Sequence, residues 1–149
     1  MNMTIEELAE SRIAYFRNVG EYGEKKNKEL MESFKKWAQS NGVLEGSAIL
    51  GIPQDHPEVT PKEECRYDVC VVVNQEFIVT KPAQAGRLPG GGYAVFQLDH
   101  TKEALSSFWN NIFSEIERNQ LSLREQPMIE RYTWGMVEQH LCEILVPIQ

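Results

Sequence analysis

The chain has 149 residues, 42% hydrophobic and 25% charged, and its 15 Lys and Arg against 22 Asp and Glu leave a net charge of −7. That length suits one domain around one core and leaves no room for a second, and no apolar run approaches the roughly 20 residues of a membrane helix. A negative field repels phosphate backbones, so direct nucleic-acid binding is not expected.

Residues 1–11 carry Glu6, Glu7 and Glu10 and lack the basic start and apolar middle of a secretory signal, which leads us to expect a cytoplasmic protein. Cys65, Cys70 and Cys142 are odd in number and without CxxC spacing, so reduced core thiols are expected rather than disulfides or a zinc cluster.

In chain order, residues 12–19 read as a strand, followed by a helix over 25–41 whose Leu30, Met31, Phe34, Trp37 and Ala38 form one apolar stripe. Asn41-Gly42 supplies a left-handed stop. Strands follow over 47–52 and 66–73, and turns at Pro82, Pro89 and Gly90-Gly91-Gly92 lead to another over 93–99. The glycine triplet has no lysine or helix start after it and reads as a turn, not a phosphate loop. A second helix over 102–119, capped by Thr101 or Asp99, carries Leu105, Phe108, Trp109, Ile112, Phe113 and Ile116, and strands over 128–133 and 140–148 close the chain.

This order is strand, helix, strand, strand, twice over. It predicts an α+β domain spanning 1–149 with pseudo-repeat halves at about 12–73 and 92–148. The duplicated β-α-β-β units form a curved, antiparallel-rich sheet with two long helices on one face. The other sheet face, or the cleft between the halves, is left to form a concavity. A ferredoxin-like arrangement of four strands is the alternative.

Five segments in this order resemble the GyrI-like small-molecule-binding family, which includes effector-binding domains of bacterial multidrug-sensing transcription activators and free-standing members. They are Arg17-Asn18-Val19-Gly20-Glu21-Tyr22; Ile52 to Pro57 with Cys65-Arg66-Tyr67-Asp68-Val69-Cys70; Leu88 through the glycine triplet to Val95; Pro127-Met128-Ile129-Glu130-Arg131-Tyr132; and Glu143 to Ile148. Gln54-Asp55-His56-Pro57 and Gln97-Leu98-Asp99-His100 depart from the family pattern, in loops that bear on ligand preference.

The resemblance implies a pocket for small aromatic or cationic molecules, lined by aromatics and holding an acid. It places Glu130 at the acidic position, Tyr67 and Tyr22 at aromatic ones, and His100 and His140 where other members carry pocket aromatics. Strand alternation adds Tyr132 and Trp134 on the face of Glu130, and Glu143 stands out inside an apolar run. Both glutamates also admit a plain surface role paired with Arg131, Arg66 or Arg87.

Two other functions follow from the resemblance: hydrolysis of cyclopropane-bearing DNA-alkylating toxins, with Glu130 or Glu143 as general acid/base, and inhibition of a topoisomerase by direct interaction. No Ser-His-Asp or Cys-His arrangement supports nucleophilic catalysis. The separated His56, His100 and His140 do not make a metal site, and no cofactor is expected. No helix-turn-helix pattern is read before Arg12 or after Ile148, so any DNA contact is expected from a partner. A protein partner or homodimer is compatible with the sequence.

Overall fold

The computed structural model describes residues 3–149, with every side chain among them except that of Trp134. The elements are β1 (Met3–Leu8), β2 (Ser11–Val19), α1 (Glu24–Ser40), β3 (Ile49–Pro53), β4 (Arg66–Val73), β5 (Gln84–Leu88), β6 (Gly91–Asp99), α2 (Lys102–Arg118), β7 (Ile129–Tyr132), a five-residue α3 (Trp134–Glu138) and β8 (Leu141–Ile148). The strands form one antiparallel sheet in the order β1-β6-β8-β7-β3-β4-β2-β5. The units β2-α1-β3-β4 and β6-α2-β7-β8 therefore meet at a central β3–β7 seam, with Ile49, Leu50 and Gly51 opposite Tyr132, Arg131 and Glu130. None of the described helices is long and apolar enough to cross a membrane.

Two strands were not expected. β1 precedes β2 in the chain but pairs with β6, and β5 precedes β6 but pairs with β2. Each half thus lends an edge strand to the other. The short linkers that make this exchange pass in contact: a Cβ on Gly90 would fall 2.6 Å from the Glu10 nitrogen and 2.8 Å from the Leu8 oxygen. Glu10 also pairs with Arg87 at 2.6 Å. Both linkers can cross only if the two ends of the sheet approach one another, so the sheet is curled.

The helices cover the outer face of that curl. Phe34, Trp37 and Ala38 of α1 bury against Ala14, Val69, Val71 and Val73, and the Phe34 ring meets Phe16 edge-on at 5.1 Å. α1 ends as its sequence predicts, with Gly42 at φ 70° and the Val43 N–H donating to the Ala38 carbonyl at 3.0 Å. The Thr101 hydroxyl caps α2 by accepting from the Ala104 N–H at 3.1 Å. Phe108, Ile112 and Ile116 of α2 bury against Ala94, Phe96, Ile144 and Val146.

Trp109 and Phe113, expected in that packing stripe, are 42% and 70% exposed. Each follows a centrally buried residue by one position, which rotates it about 100° round the helix and off the contact.

The inner face is one hydrophobic cluster of Ile13, Leu50, Ile52, Cys70, Leu88, Tyr93, Val95, Ile129 and Leu145, drawn from both ends of the sheet. Of the two places expected to form a concavity, this rules out the second sheet face, because the curl fills it. The glycine triplet serves packing as well as turning. Gly91, at φ 134°, leaves room for Arg124, to whose guanidinium carbon a Cβ would approach within 2.6 Å. Arg124 donates to the carbonyls of Gly90 at 2.8 Å and Gly92 at 3.2 Å and lies 5.0 Å over the Tyr93 ring.

Candidate functional site

Each long helix buries its stripe on its own half, so the β3–β7 seam between them is left uncovered on the outer face. A cavity of about 490 Å³ opens there. Ile49, Tyr67, Glu130 and Tyr132 form its floor, Asn27, Met31 and Lys35 of α1 stand on one side, and His100 and Leu105 on the other.

Strand alternation explains the floor. Ile129 points into the inner core, so Glu130 and Tyr132 face outward into the cavity. The Tyr132 hydroxyl donates to Glu130 Oε2 at 2.6 Å. Burial raises the Glu130 pKa above the ordinary carboxylate value, and the Tyr132 hydrogen bond offsets this in part. Among the described residues no arginine or lysine forms an ion pair with Glu130. The hydroxyls of Tyr67 and Tyr132 are held well above their ordinary pKa by burial first and the adjacent Glu130 second, so both remain protonated donors.

Gly51 makes this arrangement sterically allowed. A Cβ there would stand 2.3 Å from the Tyr67 hydroxyl oxygen and 3.7 Å from Glu130 Oε2. The absent side chain is the space into which Tyr67 reaches beside the carboxylate. The available signal was a glycine inside an apolar strand segment, which marks close approach.

His100 lies at the mouth, its ring centroid 5.1 Å from that of Tyr132. Burial, His140 and Lys35 lower its pKa in that order, each favouring the neutral ring.

The remaining predicted residues are elsewhere. Tyr22 lines a neighbouring cavity of about 380 Å³ that shares Tyr67 with the first. Its hydroxyl is engaged by backbone, accepting from the Asp55 N–H at 3.0 Å and lying 2.8 Å from the Arg66 carbonyl. Glu143 is turned to the opposite sheet face, where it accepts from Arg131 Nε at 2.8 Å, because it alternates in phase with the core residue Leu145. His140 is exposed in the turn before β8 at φ 56°, outside the cavity lining, and its carbonyl accepts from the His100 N–H at 2.7 Å.

Trp134 does not continue the strand. β7 ends at Tyr132, the Thr133 hydroxyl caps α3 by accepting from Met136 at 3.3 Å, and Trp134 opens that helix; its side chain lies outside the described residues. The three cysteines are buried and free, and no cluster of His, Cys, Asp and Glu among the described residues is arranged to hold a metal.

A family model described as the GyrI-like small molecule binding domain matches residues 1–149. The chain is 72% identical over 149 residues, covering 100% of both chains, to the "SPbeta prophage-derived putative transcriptional regulator YosT" of Bacillus subtilis (strain 168). Its fold is similar to that of SAV2435 bound to tetraphenylphosphonium, with a TM-score of 0.64, 19% identity and coverage of 100% of this chain and 94% of that one. It is also similar to the EcmrR C-terminal domain, with a TM-score of 0.71, 13% identity and coverage of 99% and 97%. From its full-length match and its prophage relative, the chain belongs to the GyrI-like small molecule binding domain family.

Proposed function

We propose that the cavity over the β3–β7 seam binds lipophilic aromatic cations, with Glu130 as counter-charge and Tyr67, Tyr132 and His100 as ring walls. The observation that carries this reading is a desolvated carboxylate that faces a cavity, accepts a hydrogen bond from a neutral tyrosine and, among the described residues, forms no ion pair with a lysine or arginine. An incoming cation relieves the desolvation of Glu130, and each ring face adds about 0.5–2 kcal/mol. The volume lies within the roughly 300–1,000 Å³ of drug-sized sites. The tetraphenylphosphonium bound to SAV2435, a similar fold, is a cation of this class.

The hydrolase alternative is less well supported. Of the two glutamates it invokes, Glu143 is ion-paired on the far side of the sheet, and Glu130 is the one that lines the cavity.

Titration calorimetry with tetraphenylphosphonium tests the reading. A unit charge about 6 Å from Glu130 at an effective dielectric of about 20 interacts by about 2–3 kcal/mol, so Glu130→Gln should weaken binding roughly 30- to 150-fold. A neutral aromatic of similar size should lose less than about threefold. Equal losses for both probes would remove the counter-charge role.

A further inference from the structure

Directly behind the cavity floor, on the inner face of the curl, Arg131 ties three strands together. Its Nε donates to Glu143 Oε1 of β8 at 2.8 Å, and its Nη2 lies 2.8 Å from Glu6 Oε2 of β1. Glu143 is its cross-strand neighbour, but Glu6 is not: β6 and β8 stand between β1 and β7 in the sheet. The contact exists because the curl folds the edge strand back over the centre. The Arg131 side chain is 17% exposed and that of Glu143 is 13% exposed, so the pair is shielded from bulk water and from screening.

β7 needs such an anchor. It has four residues, with three register pairs to each neighbour. The chain departs into α3 immediately afterwards. The outward aim of Glu130 and Tyr132 depends on the twist of this short strand about its own axis. Only Ile129 and Arg131 grip it from behind, one by packing and the other by charge.

We infer that Arg131 is a positioning residue for the ligand site: by pinning β7 to β8 and to the exchanged strand β1, it aims Glu130 and Tyr132 into the cavity. The edge strand β1, remote in the sheet, is thereby part of the support of the site. This inference rests on the proposed cation site for its binding consequence but not for its geometric one.

The test follows the Glu130 carboxyl directly, by carbon-detected NMR titration with Glu130→Gln assigning the signal, alongside tetraphenylphosphonium affinity. In Arg131→Gln the freed strand lets Glu130 reach water. Its titration midpoint should move toward the ordinary ~4.3, and affinity should fall about five- to tenfold as the supporting shell loosens. Arg131→Lys, which keeps the charge, should recover more than half of both effects. Should Arg131→Gln fail to fold, Glu6→Gln removes only the β1 arm and should shift the midpoint in the same direction by less.

A folded Arg131→Gln or Glu6→Gln protein that melts earlier, yet keeps the wild-type Glu130 midpoint and affinity, would reduce the triad to a stabilising contact and overturn the inference. A Glu130 midpoint that responds to Arg131 while Glu130→Gln leaves cation affinity intact would sustain the positioning role and remove the cation reading instead.

Discussion

Gly51→Ala perturbs the site at its narrowest point. The added Cβ would stand 2.3 Å from the Tyr67 hydroxyl oxygen and 3.2 Å from its Cζ, so the ring must retreat by about 1 Å to reach ordinary contact. Tyr67 cannot do so freely: it is 5% exposed, belongs to the α1-side core and meets Tyr22 edge-on at 6.4 Å. Overpacking of this kind costs about 1–3 kcal/mol, and alanine recovers about 0.5–1 kcal/mol over glycine in a strand, for a net loss of about 1–2 kcal/mol. Thermal unfolding should then show a midpoint lower by about 3–8 °C.

The displaced hydroxyl also alters the cavity floor, and tetraphenylphosphonium affinity should drop by about three- to tenfold. Tyr67→Phe removes the clashing oxygen, so the double variant should be more stable than the sum of the two changes by about 1 kcal/mol. If Gly51→Ala melts within about 1 °C of wild type and is additive with Tyr67→Phe, the close approach is not what holds this position to glycine.

Burial raises the folded pKa of Glu130 above its unfolded value, so its contribution to stability is fully present below about 4.3 and is lost as pH rises through the folded value. Melting curves across that window should show Glu130→Gln gaining on wild type as pH rises, while cation affinity of the wild type climbs over the same range; parallel melting profiles would count against a desolvated carboxylate. For Arg124→Ala, loss of the bonds to Gly90 and Gly92 and of the Tyr93 contact should cost about 1.5–3 kcal/mol in urea unfolding without changing cation affinity, since Arg124 lies outside the cavity. A change in affinity would place the glycine triplet in the binding machinery.

Much of the fold is legible in the linear pattern because the physics is local. The stripe of Phe34, Trp37 and Ala38 and that of Phe108, Ile112 and Ile116 each fall on one helical face, and the runs around Val69 and Ile144 are almost continuously apolar, as strands covered on both faces are. β1 and β5 escape such reading: Met-Thr-Ile-Glu-Glu-Leu and Gln-Ala-Gly-Arg-Leu have weak strand character, and each becomes a strand by pairing with the other half.

The site divides along the same line. Period two by itself puts Glu130 and Tyr132 on one face, because neighbouring side chains in a strand point opposite ways. Which of the two late glutamates meets a cavity is a different kind of fact. It depends on where two helices leave the sheet bare, and the answer, Glu130 over the seam and Glu143 against Arg131 behind it, exists only after both halves have packed. Trp134 shows the limit of extrapolation, since the Thr133 cap starts a helix where alternation alone would continue the strand. Sequence determines the elements and their apolar faces through contacts a few residues long. The curl, the exchanged strands, the recess at Gly51 and the tie from Glu6 to Arg131 were decided by tertiary structure, because each joins groups brought together only by closure of the whole sheet.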